Sequence, residues 1–253
     1  MIQLKNAQEL AKMRRACQIS AEALKLGGRS IEAGMTTADL DKIIYDYIKR
    51  HGARPNFQGL YGFPGTACIS INDEVIHGIP SHSRQIRPGD IVSIDTGAAI
   101  NGFNGDNACT FPCGKVDIEA QRLMDVTKES LHRGIAAAVA GNRVGDIGHA
   151  VQSYVEENGF SVVRSFVGHG VGKELHEDPE VPNYGHAGHG VRLVNGMTIA
   201  IEPMVNQKHH SVKTLSDGWT VVTADGGLAA HFEHSIAILP GGPEILTIGW
   251  EEP

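Results

Sequence analysis

An internal repetition constrains this chain more than any other feature of its sequence. Residues 33–52 read AGMTTADLDKIIYDYIKRHG and residues 140–159 read AGNRVGDIGHAVQSYVEENG. Ala-Gly, Asp39 with Asp146, Leu40 with Ile147, Tyr47 with Tyr154 and Gly52 with Gly159 match at one offset of 107. The same offset aligns 86–95 (IRPGDIVSID) with 193–202 (LVNGMTIAIE), and so pairs Gly89 with Gly196, Ile94 with Ile201 and Asp95 with Glu202. Any two helix-plus-strand units share some likeness, but one offset surviving two separated blocks predicts two equivalent halves. They run over about 1–110 and 117–253, and no linker rich in Pro, Ser or charge divides them. The expectation is a single domain with internal pseudo-symmetry. Two-fold-related strands can then bring Asp95 and Glu202 to a common centre.

The spacing of apolar residues predicts helices over 7–26 (Leu10, Met13, Cys17, Leu24) and 117–139 (Leu123, Val126, Leu131). Thr36 or Thr37 can cap a further helix to Lys49, with Leu40, Ile43, Ile44, Tyr47 and Ile48 inward. Strands are predicted at 67–72, 91–98, 161–167, 197–204, 219–223 and 230–239. The fold class is α+β, with helices covering a strongly curved sheet.

The stretch Ser165–Pro179 holds His169 and His176 seven residues apart, with Gly168, Gly170 and Gly172 around the first. Seven residues would place both histidines on one helical face, yet each glycine costs a helix about 1 kcal/mol against alanine. Alternate glycines instead suggest extended or looping backbone that something approaches closely. A glycine-rich surface loop is the plainer alternative.

The carboxylates carry more chemistry. In the 91–97 strand, Ser93 and Asp95 face opposite Val92 and Ile94. Asn101-Gly102 is a two-residue hairpin signal; with that turn Asp106 falls opposite Gly97, a diagonal neighbour of Asp95 on the same face. Carboxylates that close repel unless a cation joins them or one takes up a proton. Glu202 shares its face with Ala200, and Glu233 is a charge inside an apolar strand, where one is rarely buried without a partner. Read singly, Asp106 could end a turn, and Glu202, before Pro203, could sit at a solvated strand end. Together, two Asp, two Glu and one or two His make an oxygen-rich set suited to paired divalent metals, whereas structural zinc prefers cysteine.

Composition removes other classes. The net charge of -7 argues against a general nucleic-acid binder, no apolar run approaches the ~20 residues of a membrane span, and no signal-peptide core appears in the first thirty residues. Cys17, Cys68, Cys109 and Cys113 form no Cys-x-x-Cys pair and read as small buried hydrophobes in a reducing cytosol.

The ordered set Val-Ile-His77-Gly-Ile-Pro, Ile-Asp95-Thr-Gly, Gly-Asp106, Gly-His169-Gly-Val-Gly, Leu-His176-Glu-Asp-Pro, Ile-Glu202-Pro-Met and Phe-Glu233-His resembles the type I methionine aminopeptidases, from about residue 3 to the end. The resemblance implies the pseudo-two-fold "pita-bread" fold and two adjacent divalent metal ions, for which manganese, cobalt, iron(II) and zinc all suit such ligands. Asp95 would hold one metal and His169 with Glu202 the other, with Asp106 and Glu233 bridging. It also implies a bridging water as nucleophile, Glu202 as its general base, His176 stabilising the oxyanion, and His77 hydrogen-bonding the scissile amide nitrogen or the adjoining peptide.

The positions matching the family's methionine pocket are Tyr61, Phe63, Cys68, Leu175 and Trp219, with Leu175 replacing an aromatic often found there; they could also be plain core residues. His231 stands where the family commonly has glutamine, on the Glu233 face by alternation, within reach of a supporting contact. His234 should point away into the core or a sheet edge, His209-His210 should sit at an exposed hairpin tip, and the remaining histidines read as surface or structural. The implied activity is removal of initiator methionine from nascent chains and peptides when the second residue is small, in the cytoplasm, by a monomer meeting its substrates at the ribosome, with no membrane or direct nucleic-acid role. Alternatives are a proline-specific aminopeptidase or prolidase of the same fold, whose members generally carry an extra N-terminal domain, and a non-catalytic binding module, which would have lost ligands that this chain keeps.

Overall fold

The computed structural model describes residues 1–250. Helix α1 (Ala7–Arg29) starts at Asn6, whose side chain accepts the Gln8 and Glu9 backbone N–H groups while Glu9 reaches back to the Asn6 N–H, satisfying donors that a helix start leaves open. There follow α2 (Thr37–Arg50), β1 (Arg54–Pro55), a 3-10 turn at Leu60–Gly62, β2 (Ala67–Ile71), β3 (Glu74–Ile76), β4 (Ile91–Ile100) and β5 (Phe103–Pro112). Then come α3 (Ile118–Ala137), α4 (Val144–Glu157), β6 (Ser161–Val162), β7 (Gly168–Gly170), β8 (Glu177–Val181), β9 (Thr198–Ile201) and β10 (Met204–Asn206). Strands β11 (Val212–Thr214), β12 (Val221–Thr223), β13 (Ala229–His231), β14 (Glu233–Leu239) and β15 (Gly242–Ile245) complete the series.

The offset of 107 recurs in the backbone. Helices α2 and α4 are 14 residues each and start that distance apart. The isolated bridges Thr36–Gln85 and Arg143–Arg192 are the same pairing moved along by it, as are the hydrogen bonds from Gly34 N–H to the Ile86 carbonyl (2.8 Å) and from Gly141 N–H to that of Leu193 (2.9 Å). Both helices open on a carboxylate, Asp39 and Asp146, that accepts the N–H of the residue before the helix.

A nine-stranded antiparallel sheet runs β1-β4-β5-β14-β9-β7-β8, with β15 on β14 and β2 on β4. The β4–β5 hairpin lies in the first half and β9-β7-β8 in the second, and β14 joins them. Two three-stranded sheets, β13-β10-β6 and β11-β12-β3, stand beside it. Helix α1 packs on β4 and β5, and α3 on α4 and β13. Met13, Leu24, Ile44 and Leu123 are among the fully buried side chains, as the helical spacing predicts.

The strand boundaries need correction. The predicted 197–204 and 230–239 strands are each interrupted, at Pro203 and at Phe232. There the chain leaves the large sheet for the β13-β10-β6 sheet or returns from it, Pro203 having no N–H to continue the ladder. Of 161–167 only Ser161–Val162 is strand, because the ladder resumes at Gly168 in another sheet. The predicted strand at 219 starts at Val221, since Asp217 holds the N–H groups of Trp219 and Thr220 in a turn. His209 and His210 lie on the connection from β10 to β11, which are in different sheets, so their loop is a crossover and not a hairpin tip.

Close packing of α1 on β5 gives a test. A Cβ on Gly105 would lie 2.5 Å from both Cα and N of Cys17, backbone that cannot swing aside. Gly105→Ala should destabilise the protein by about 1–3 kcal/mol or more, read as a lower urea midpoint at unchanged slope.

Candidate active site

The hairpin register brings the carboxylates together. Gly97 lies opposite Asp106 and Asp95 opposite Ala108, as the Asn101-Gly102 turn predicts; Ala108 in turn lies opposite Glu233 on β14. One residue beyond the His234–Ile201 pair, Glu202 leaves β9 beside Glu233. Residues opposite one another across an antiparallel sheet share a face, so Asp95, Ala108 and Glu233 form a row, and the small Ala108 leaves space between the two carboxylates. The Ser235 hydroxyl donates to the Asp106 carbonyl (2.8 Å) and accepts from its N–H (3.2 Å), tying β5 to β14 at this point.

His169 enters from β7. Its Nδ1–H donates to the Gly170 carbonyl (2.8 Å), which leaves the Nε2 lone pair facing Asp106 Oδ2 at 3.8 Å and Glu202 Oε1 at 3.5 Å. Burial holds the imidazole neutral, its pKa pushed down to about 4, with nearby His176 adding to the effect. Burial also raises the carboxyls: Asp106 up to about 7 despite the Asn107 N–H, and Asp95, Glu202 and Glu233 well above the usual range, each further raised by Asp106. A neutral nitrogen aimed at crowded carboxylates is an arrangement that a cation stabilises.

The donor set fits a metal on that ground. Asp106, His169 and Glu233 present ligand atoms within 4.8 Å of one another, with Glu202 beside His169. Asp95 Oδ1, Asp106 Oδ1 and Glu233 Oε1 are buried without a hydrogen-bond partner among the described residues, a costly state that coordination relieves. Mostly oxygen with one imidazole, the set suits a hard to borderline divalent ion.

These groups line one end of a cleft of about 720 Å³ that has an apolar wall of Phe57, Phe63, Cys68, Leu175 and Trp219 and an acidic one that includes Glu174, Glu177 and Glu180. Cys68 on β2 is the cross-strand partner of Asp95, so pocket and carboxylates adjoin. Phe57, Phe63, Cys68 and Leu175 form a buried cluster with Leu60, Ile79 and Trp219 packed against it. His77 stands between Phe166 (ring centroids 5.7 Å) and Trp219 (6.3 Å), largely out of water, and burial brings its pKa down to about 4. The His176 ring is 4.5 Å from that of His169 and lies parallel to Tyr61 at 6.4 Å; burial lowers its pKa as well.

All twelve predicted site residues border this cleft. Tyr61, though, is 79% exposed and belongs to the rim. Phe57, Leu60 and Phe166 border the cleft without having been expected from the sequence; Phe57 and Leu60 lie in the irregular loop after β1, where no periodicity marks an inward face. His231 is buried with Nε2 3.8 Å from Glu202 Oε2, on the predicted face. His234 is on the other, its Nδ1 2.8 Å from Thr247 Oγ1 and its ring stacked on Trp250. The four cysteines are buried and no two are bridged, and no helix among the described residues is long and apolar enough to cross a membrane.

Comparison with known proteins agrees with this geometry. The model of metallopeptidase family M24 matches residues 11–240. The methionine aminopeptidase of Clostridium perfringens is 55% identical over 98% of this chain and 99% of its own length. The crystal structure of methionine aminopeptidase from Thermotoga maritima superposes with a TM-score of 0.96 at 44% identity, covering 98% of this chain and 99% of that one. Prolidase from Pyrococcus furiosus has a TM-score of 0.79 at 23% identity, over 97% of this chain and 65% of its own, a likeness of fold alone. With the fold, the buried ligand set and relatives matched end to end, this chain belongs to metallopeptidase family M24.

Proposed function

We propose that this chain is a metal-dependent aminopeptidase that removes N-terminal methionine from peptides and nascent proteins when the second residue is small. One observation carries the reading: an apolar cluster lies directly beside the carboxylates in the same cleft, its Cys68 opposite Asp95. The end-to-end methionine aminopeptidase relative supports it.

Two divalent ions are the proposed cofactors, which Asp95, Asp106, His169, Glu202 and Glu233 would hold. A divalent cation there supplies Lewis acidity, which lowers the pKa of water and polarises a carbonyl. The chain does the rest. Phe57, Phe63, Cys68 and Leu175 take the methionine side chain and exclude water. The free α-amine is drawn to the carboxylate end, which an acetylated terminus cannot exploit. Glu202 accepts the proton of the attacking water and passes it to the leaving amine. The neutral His176 imidazole donates to the oxygen that gains charge in the transition state, and neutral His77 binds the peptide at the scissile amide.

The deciding assay is a peptide series. Met-Ala-Ser and Met-Gly peptides should be cleaved, whereas Met-Leu, Met-Lys and N-acetylated forms should not, with activity lost on chelation and restored by Mn²⁺ or Co²⁺. Cleavage of Xaa-Pro peptides lacking methionine would move the protein to the proline-specific branch.

Glu202→Gln should lower kcat by about a hundredfold to ten-thousandfold in folded, metal-loaded protein. Near-normal turnover at full metal content would remove Glu202 as the proton acceptor.

The raised carboxyls also set a pH dependence. A carboxyl whose folded pKa exceeds its unfolded value near ~4 adds stability below that value and loses it as pH rises through the folded one, about 7 for Asp106. Metal relieves this loss and releases protons on binding. The gain in melting temperature from Mn²⁺ over chelated protein should therefore grow between about pH 5.5 and about pH 8. A gain independent of pH would place the metal elsewhere.

A further inference from the structure

Lys5 is an unexpected residue to find inside the protein. Its side chain is 3% exposed and its Nζ is paired with Glu177, itself 5% exposed and 172 residues away. Nζ also donates to the Gln3 carbonyl at 3.0 Å, and the Lys5 N–H donates to the Gly196 carbonyl at 2.7 Å. The second oxygen of Glu177 accepts from the Glu174 N–H at 3.2 Å. Burying two charges is costly, and their attraction offsets that cost only in good geometry. An ordinary surface loop needs no such pair.

The pair bears on His176. Residues 172–176 lie outside any strand, so no sheet ladder holds this histidine. Leu175 packs in the apolar cluster and Lys173 pairs with Glu9; the backbone at the two ends is held separately. Near Gly172, Asn104 donates its N–H (2.8 Å) and Nδ2 (3.0 Å) to the Gly172 carbonyl, and Nδ2 again to that of Lys173 (2.9 Å). At the far end stands Glu177, next to His176 in sequence and clamped by Lys5. Gly172 shows how closely the pair is fitted: a Cβ there would lie 2.5 Å from Lys5 Cε and 2.6 Å from Glu177 Oε1. Gly168 and Gly170 make room for backbone, the carbonyls of Ala200 and Asp178, whereas Gly172 makes room for this ion pair. The neighbouring contact of the Met1 ammonium with Asp178 is exposed, where water screens it.

We propose that Lys5 is a positioning residue for catalysis: through Glu177 it fixes the segment that presents the His176 imidazole to the reacting carbonyl. The proposal rests on the aminopeptidase reading and on the part given there to His176. A donor that matters in the transition state more than in the ground state affects kcat more than KM.

The test is a set of variants assayed on Met-Ala-Ser. Lys5→Met should lower kcat roughly tenfold to a hundredfold, with little change in KM and unchanged metal content. In a His176→Ala background the same substitution should cost almost nothing further. Lys5→Met combined with Glu177→Met removes both charges; it should recover melting temperature, as apolar replacement of a whole buried pair commonly does, while kcat stays low. Recovery of kcat along with stability would overturn the proposal, as would a Lys5→Met loss undiminished in the His176→Ala background. If the wild type does not cleave Met-Ala-Ser, the aminopeptidase reading fails by itself. The placement is still tested by the His176 ring resonances of chelated protein, assigned by their disappearance in His176→Ala. They should shift in Lys5→Met, and unchanged resonances would overturn the proposal whatever the activity.

Discussion

Four carboxylates share one buried patch, and the rest of the structure answers to their mutual repulsion. At the effective dielectric of a protein, two unit charges 4 Å apart interact by about 4 kcal/mol, so a metal-free cluster can exist only with raised pKa values, as Asp95, Asp106, Glu202 and Glu233 show. Their side chains cannot swing out to water because each stands on or beside a strand of one sheet. Rigid placement of ligands on sheet elements keeps such a site ready for a cation. The same rigidity makes the chelated protein less stable as its carboxyls ionise.

The elements around the patch serve that placement. Ser235 ties β14 to β5 at Asp106, the Gly170 carbonyl fixes the His169 tautomer, and Gly168 and Gly170 let the strand lie against neighbouring carbonyls without side chains between. Helix α1 presses on β4 and β5 from behind, so a change as small as a methyl group at Gly105 reaches the site through the hairpin. The likeness to prolidase at 23% identity shows that this frame persists with little of the sequence in common.

The parts legible in the sequence were those set by local geometry. The Asn101-Gly102 turn fixes a register, and the register alone places Asp106 near Asp95. The offset of 107 puts Glu202 where Asp95 stands in the other half. What was hidden depends on contacts distant along the chain. Pro203 and Phe232 are corners between sheets, which alternation cannot distinguish from strand. Tyr61 lies on the rim because an irregular loop turns it outward, and Phe57 belongs to the pocket for the converse reason. Lys5 stands just before the Asn6 cap, and what buries it is Glu177, 172 residues away.

The seam at β14 also governs the order in which the molecule becomes complete as it is synthesised. Asp95 and Asp106 emerge together on one hairpin, His169 and Glu202 much later, and Glu233 only with the strand that slots between β5 and β9. Until β14 is inserted, β5 has an open inner edge and the carboxylate cluster lacks a member. A growing chain therefore carries no finished site through most of its own translation. On the proposed reading, a hydrolase of N-terminal peptides is thereby kept inert until its last large strand is in place.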